Sequence, residues 1–342
     1  MTQAIVCEAI SKSYVRRRTR PGFLGAVRGL FAAETEVVPA VAHLEFAIER
    51  GERVGLIGEN GAGKSTTLKM LTGILKPTSG QLRVLGLDPW RQRRQLAARI
   101  GVVFGQRPQL LWDIPVRETF TLLKSMYNVE SKLFEATYTE AVRRLDLAPL
   151  LDVAVRKLSL GQRMRCDLAA SLLHAPDIAF LDEPTIGLDV SVKEQVREFV
   201  VEMQQRFGTT LILTTHDLKD ITETCERLLL LDRGKLLFDG SLNDFERRFA
   251  SGRRILLELE KPVLEGAEAE LARALAPLGG ELTEHRGHRV VVSYQRAGAA
   301  PALTQCLLSR LPVSDIVLER ADIDSVVAEI YRRPTALSEG PA

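Results

Sequence analysis

The octapeptide Gly58-Glu59-Asn60-Gly61-Ala62-Gly63-Lys64-Ser65 constrains this chain more than any other stretch. It follows a β-prone run at 53–57 and precedes a helical pattern from Lys64 to Leu75, which stops before Pro77. The spacing fits G-x-x-x-x-G-K-[ST] in the strand–loop–helix setting its mechanism needs. Its glycines let the backbone curl so that successive N–H groups point inward at phosphate. The N-terminus of the next helix adds the positive end of its dipole. On this reading Gly58, Glu59, Asn60, Gly61, Ala62, Gly63, Lys64, Ser65 and Thr66 surround a nucleotide's phosphates. Lys64 reaches the β- and γ-phosphates and the Ser65 hydroxyl binds Mg2+.

A second signal is the run Ile178-Ala179-Phe180-Leu181-Asp182-Glu183. Here a buried-type strand runs out into two adjacent acids. Carboxylates at the end of an apolar strand are expensive unless they meet a cation or do chemistry. Asp182 suits a metal-holding role, and Glu183 is placed to orient or deprotonate an attacking water.

Strands and helices alternate through the first half, with a helical stretch over 115–174. That order predicts an α/β core with a helical insertion. Residues 5–9, 40–48, 53–57, 81–85, 100–104, 178–181 and 210–215 read as strands. Residues 91–98 and 191–207 read as helices, the second closed by Gly208, and 228–238 as a hairpin turning at Arg233-Gly234. Composition shifts near 240–253, and strands and helices then follow in the order βαββαβ, with a last helix at 323–331. That order is the split βαβ unit of ferredoxin-like domains. The expected organisation is therefore a catalytic core over 1–240, its helical part at about 107–174, a linker at 241–253, an accessory domain at 254–333 and a disordered tail at 334–342.

With 342 residues the chain has room for two domains. Its 46 basic and 44 acidic residues leave a net charge of +2, which argues against a nucleic-acid partner recruited by global charge. No apolar run is long enough to span a bilayer, and the N-terminus lacks the pattern of a signal peptide. Cys7, Cys166, Cys225 and Cys306 are scattered and read as reduced thiols of a cytosolic protein.

Further along, Leu158-Ser159-Leu160-Gly161-Gln162 opens a helix shortly before Asp182. With it the chain resembles the ATP-binding subunits of ABC transporters over roughly residues 4–240. The family usually has LSGGQ there; Leu160 replaces one glycine, while Ser159, Gly161 and Gln162 are kept. The resemblance implies an ATPase that uses ATP and Mg2+. It implies that Ser159, Gly161 and Gln162 bind the γ-phosphate of ATP held by the opposite subunit of a head-to-tail dimer. Gln106 matches the Q-loop glutamine that contacts Mg2+ or the attacking water, and His216 the switch histidine. Gly187-Leu188-Asp189 resembles the D-loop, and Tyr14 the aromatic that stacks on adenine. The implied partners are integral membrane permease subunits and a second copy or homologous ATPase. The implied location is the inner face of the cell membrane.

The motifs leave the direction of transport open; the resemblance is closest to ATPases of exporters with separate membrane chains. An importer ATPase or a soluble ABC ATPase are the alternatives. Against the latter, only about 118 residues separate Lys64 from Asp182, with no sustained heptads, and only one P-loop occurs. Two features depart from the plainest pattern. A cationic insertion runs from Arg16 to Phe31, suited to acidic lipid headgroups or to a solvated loop. The βαββαβ unit contains no cluster of metal ligands or paired acids; His285 and His288 read as turn residues, and the unit reads as a dimerisation or regulatory appendage. Apolar residues at 108–113, among them Leu110, Leu111 and Trp112, read as a docking patch for the membrane subunits.

Overall fold

A computed structural model describes residues 3–17, 35–104, 108–249, 253–262, 267–294 and 298–320. The chain divides into two compact units, Met1–Ser241 and Leu242–Ala342.

The first unit is built on two sheets. Strands β1 (Gln3–Arg17), β2 (Thr35–Glu49) and β4 (Ser79–Val84) form an antiparallel sheet in the order β2-β1-β4. Strands β3 (Arg53–Gly58), β5 (Ile100–Phe104), β6 (Ile178–Asp182), β7 (Thr210–Thr214), β8 (Arg227–Asp232) and β9 (Lys235–Ser241) form the other, in the order β5-β6-β7-β3-β8-β9. All but β9 run parallel. Their near-continuous apolar runs suit a sheet buried on both faces. One core joins the two sheets through helix α1 (Lys64–Leu71), bringing Ile5, Leu44 and Phe46 together with Leu68, Phe180 and Ile212.

The helical part contains α3 (Val116–Met126), α4 (Ser131–Arg144) and α5 (Leu160–Leu172), after the short α2 (Arg93–Ala97). In α3, Val116, Phe120 and Leu123 are buried at positions i, i+4 and i+7, the inward stripe of an amphipathic helix. Helix α6 (Val190–Phe207) buries Val196, Phe199, Val200 and Met203 on the same rule. It ends at Gly208, whose left-handed φ of 67° lets its N–H reach the Gln204 carbonyl. Helix α7 (Leu218–Thr224) starts at Asp217, whose side chain accepts from the Lys219 N–H.

The second unit begins with α8 (Leu242–Phe249), where the sequence reads as a linker. The linker reading missed the apolar spacing of Leu242, Phe245 and Phe249; Phe245 is fully buried. There follow β10 (Arg253–Leu259), α9 (Ala267–Leu275), β11 (Gly280–Arg286), β12 (Arg289–Tyr294), α10 (Ala300–Leu308) and β13 (Val313–Arg320). The strands form an antiparallel sheet ordered β11-β12-β10-β13. Ile255, Leu257, Val290, Val292, Leu275 and Leu303 make its core.

Other expectations need correction. The first strand is not confined to 5–9: β1 runs to Arg17 and pairs with β2 from Thr35, with Tyr14 opposite Val38. β-Branched residues favour that pairing, and the arginines alongside disguise it as a loop. Helix α1 stops at Leu71 rather than Leu75. His285 lies in β11 rather than a turn, with its Nδ1 2.7 Å from Glu268 Oε1. The insertion residues 18–34, the helix expected at 323–331 and the tail at 334–342 lie outside the described residues.

Asp167 of α5 is buried and accepts the N–H groups of Gln109, at 2.9 Å, and Leu110, at 3.3 Å. It thereby ties the segment after β5 to this helix. Burial pushes its carboxyl up to about 6, against the two backbone donors. The folded value lies above the ordinary one, so the folded chain holds this proton more tightly than the unfolded chain. Stability from this group is therefore present at low pH and is lost as pH rises from about 4 to about 6. Asp167→Asn keeps an acceptor and has no charge to desolvate. Relative to the parent protein it should gain on the order of 1–2 kcal/mol between pH 5 and pH 8. Urea unfolding at both pH values measures this; a stability difference that does not change with pH contradicts it.

Candidate functional site

In the first unit the carboxyl ends of the parallel strands come together, the usual place for a ligand in an open α/β sheet. Asp182 ends β6 beside Thr214, which ends β7, and β7 is in turn the neighbour of β3, which ends at Gly58. The loop Glu59, Asn60, Gly61, Ala62 and Gly63 then leads to Lys64, Ser65 and Thr66 in the first turn of α1. Gly63 has a φ of 103° and no side chain caps this helix, so its first N–H groups have no partner within the helix. Two glycines here meet quite different surroundings. A Cβ on Gly63 would lie 2.7 Å from the Ala40 carbonyl oxygen, whereas one on Gly61, at φ 90°, would meet open space. The open side leaves room for a ligand beside the loop.

Lys64 is only 7% exposed. Its Nζ donates to the carbonyls of Gly58, at 2.5 Å, and Glu59, at 3.1 Å. Burial lowers its pKa, while the charges of Glu183 and Asp182 act in the opposite direction. A desolvated ammonium facing two carboxylates is an environment suited to a polyanion carrying a metal ion.

Asp182 is fixed by Thr214, whose Oγ1 donates to its Oδ1 at 2.6 Å. Glu183 follows with a φ of 52°, a left-handed conformation uncommon for a residue with a Cβ. It is held there by its N–H donating to the Thr214 carbonyl at 2.9 Å. Such strain is characteristic of functional positions. His216, exposed just beyond β7, lies with its Nδ1 3.5 Å from Glu183 Oε1. Thus Lys64, Asp182, Glu183 and His216 converge on one edge of the sheet.

Ser159, Gly161 and Gln162 sit at the start of α5. The Ser159 Oγ accepts from the Gln162 N–H at 3.2 Å, and the Gln162 side chain accepts from the Ser159 N–H at 2.9 Å, a reciprocal capping box. Among the described residues no hydrogen bond links them to residues 58–66. They pack instead on the turn after Glu183: a Cβ on Gly187 would meet Leu160 Cδ2 at 2.9 Å, and one on Gly161 would meet Leu188 Cδ2 at 3.1 Å. Leu160, the departure from LSGGQ, is thus partly occupied in covering Gly187.

Tyr14 is exposed on β1, with the Lys12 Nζ 5.6 Å from its ring centroid. Gln106 lies outside the described residues. Leu111 and Trp112 are exposed, Trp112 at 50% with Arg163 5.6 Å from its ring, but Leu110 is buried and belongs to the core. Sequence reasoning missed Thr214, Thr185, Arg197 and Asp220, all buried polar residues. A Thr closing an otherwise apolar strand was the one available signal. Cys7, Cys166 and Cys225 are buried, and burial raises all three thiols, the latter two to about 12. They take no part in the site. Among the described residues no group of His, Cys, Asp and Glu forms a metal-binding cluster.

The glycine contrast is testable. Gly63→Ala combines a left-handed φ with contact against backbone and should cost roughly 2–4 kcal/mol. Gly61→Ala bears the strain alone and should cost about 1 kcal/mol. Equal losses in chemical denaturation would contradict the stated role of the Ala40 contact.

Comparison with known proteins identifies the family. The ABC transporter family model matches residues 41–186. The chain is 30% identical to the daunorubicin resistance ATP-binding protein DrrA3 of Streptomyces coeruleorubidus, over 84% of this chain and 89% of that one. It is 31% identical to the methionine import ATP-binding protein MetN of Geobacillus kaustophilus, over 64% and 65%. The fold is similar to a dimeric post-hydrolysis structure of the ATP-binding cassette MJ0796 bound to ADP and Pi. That match has a TM-score of 0.58 at 23% identity and covers 70% of this chain and 98% of that one. With a relative 30% identical over most of both chains and a family model matching the stretch that holds the loop 58–64 and both strand-end acids, the chain belongs to the ABC transporter ATP-binding family and is an ATPase.

Proposed function

We propose that this ATPase drives export of a substrate through separate integral membrane permease subunits, at the cytoplasmic face of the cell membrane. The observation that carries the catalytic part is the convergence of buried Lys64, Thr214-fixed Asp182, strained Glu183 and His216 on one sheet edge. In this reading the loop 58–64 and the first turn of α1, including Ser65 and Thr66, hold the phosphates of ATP, and Tyr14 stacks on adenine. Ser65, Asp182 and Gln106 would hold Mg2+, which neutralises phosphate charge. Glu183 takes a proton from the attacking water as its oxygen bonds to the γ-phosphorus and the bond to the ADP oxygen breaks. His216 orients the γ-phosphate from the other side of Glu183.

Two copies, or this chain and a homologous ATPase, would pair head to tail so that Ser159, Gly161 and Gln162 of one meet the γ-phosphate held by the other. The start of α5 supports this: its capping box occupies the N–H groups of Ser159 and Gln162 and leaves those of Leu160 and Gly161, which have no partner within the helix, to meet phosphate. Export is favoured by the likeness to a drug-resistance ATP-binding protein, which covers most of both chains. Import is the second reading, favoured by the likeness to MetN over a smaller share. Among the described residues no helix is long and apolar enough to cross a membrane, which fits a peripheral subunit. Exposed Leu111 and Trp112 are the proposed contact with the permease. The βαββαβ order and the strand order β11-β12-β10-β13 support a ferredoxin-like accessory domain, used for dimerisation or regulation.

Glu183→Gln should lower phosphate release at least about 100-fold with ATP still bound. Lys64→Ala should instead weaken ATP binding, because it removes the charge at the phosphates. Both are read by phosphate release and nucleotide-binding assays on the same preparation. Near-normal turnover in the first variant, or unchanged affinity in the second, contradicts these roles.

A further inference from the structure

A carboxylate outside the family motifs links the two catalytic loops. Asp220 of α7 is fully buried. Its Oδ2 accepts from the hydroxyls of Thr185 and, at 3.1 Å, Thr215; its Oδ1 accepts from Arg197 Nη1 of α6 at 2.9 Å. Thr185 stands two residues after Glu183, and Thr215 immediately before His216. One side chain therefore clamps the turn behind the proposed base to the strand end that carries the proposed switch histidine.

Other contacts stiffen the same joint. The Thr215 hydroxyl also accepts the Asp217 N–H at 3.0 Å, and Lys193 of α6 meets Asp217 at 2.6 Å. Glu223 lies 2.7 Å from Arg197 Nε. The turn that Thr185 anchors is closed by two backbone bonds, from the Ile186 N–H to the Glu183 carbonyl and from the Leu188 N–H to the Thr185 carbonyl. Its far side, Gly187 and Leu188, packs on Leu160 and Gly161 of the signature helix. A buried ion pair is weak evidence for stability, since apolar residues of similar volume often serve as well. What apolar residues would lack here is direction: hydrogen bonds that set the two loops at one fixed separation.

We infer that Asp220 is a positioning residue for hydrolysis, holding Glu183 and His216 in register through Thr185 and Thr215. The inference rests on the catalytic reading of Glu183 and His216 proposed above. Because small misplacements of reacting groups cost orders of magnitude in rate, loss of the clamp should act on turnover and spare binding.

The test uses the full chain. Thr185→Val and Thr215→Val remove one hydroxyl each at nearly constant volume, and Asp220→Asn keeps an oxygen for Arg197 while replacing the acceptor shared by the two threonine hydroxyls with an NH2. Each should lower kcat for ATP hydrolysis about 10-fold or more, with KM and ATP affinity within about 3-fold of the parent protein. The double variant Thr185→Val with Asp220→Asn should lose no more than Asp220→Asn alone, because both act through one contact. Glu183→Gln, measured alongside, separates the two claims. If it is inactive while both threonine variants turn over normally, the clamp is refuted and the base assignment stands. If it turns over normally, the reading on which the clamp rests falls, and the clamp with it. Losses of kcat and affinity in parallel, or a double variant whose losses multiply, also overturn the inference, since they describe general loosening of the fold. The threonine variants keep the test decisive where Asp220→Asn fails to fold.

Discussion

A buried lysine ammonium organises this structure. Lys64 is enclosed by its own loop, and its Nζ is held by the carbonyls of Gly58 and Glu59. Burying a cation is costly unless negative charge answers it. Asp182 and Glu183 supply that charge from the neighbouring edge of the sheet. The rest follows from holding these charges together. Parallel pairing of β6, β7 and β3 brings the strand ends side by side, Thr214 fixes Asp182, and Gly63 lets the loop pass against Ala40. In the proposed site a nucleotide's phosphates would answer the lysine and a metal ion the two carboxylates, so an arrangement that is expensive in itself suits an ATPase.

Much of the core was legible in the sequence because the signals were local. The P-loop needs glycines at fixed offsets, and the strand at 178–182 needs only an apolar run ending in acids. The boundaries of β5 are recovered to the residue, since it lies between clear breaks. The length of β1 was not legible, because its outer half is stabilised by pairing with β2 across a long separation and carries arginines that read as loop. Helix α8 was hidden in the same way: one buried Phe245 amid charged neighbours is a weak pattern.

Site residues divide along the same line. Lys64, Asp182, Glu183 and His216 announced themselves by motif or by position at a strand end. Asp220, Arg197 and Thr185 did not, because the contacts that join them link segments more than twenty residues apart. An Asp at 220 reads from sequence as a surface residue of an amphipathic helix; only packing shows that it is fully buried. The signature segment is intermediate. Its capping box could be read from Ser159 and Gln162, whereas the packing of Leu160 on Gly187 required the fold.

The central claim is that the charged sheet edge of one chain and the signature helix of another make one working site. Mixing a Ser159→Arg chain with a Lys64→Ala chain tests it most directly, each being inactive alone. A mixed dimer holds one site with both an intact P-loop and an intact signature, contributed by different chains. The account predicts that crosslinked mixed dimers regain ATP hydrolysis, at up to about half the parent rate if the sites act independently. Mixed dimers as inactive as either variant alone, with crosslinks showing each chain's own signature at its own nucleotide, would contradict it.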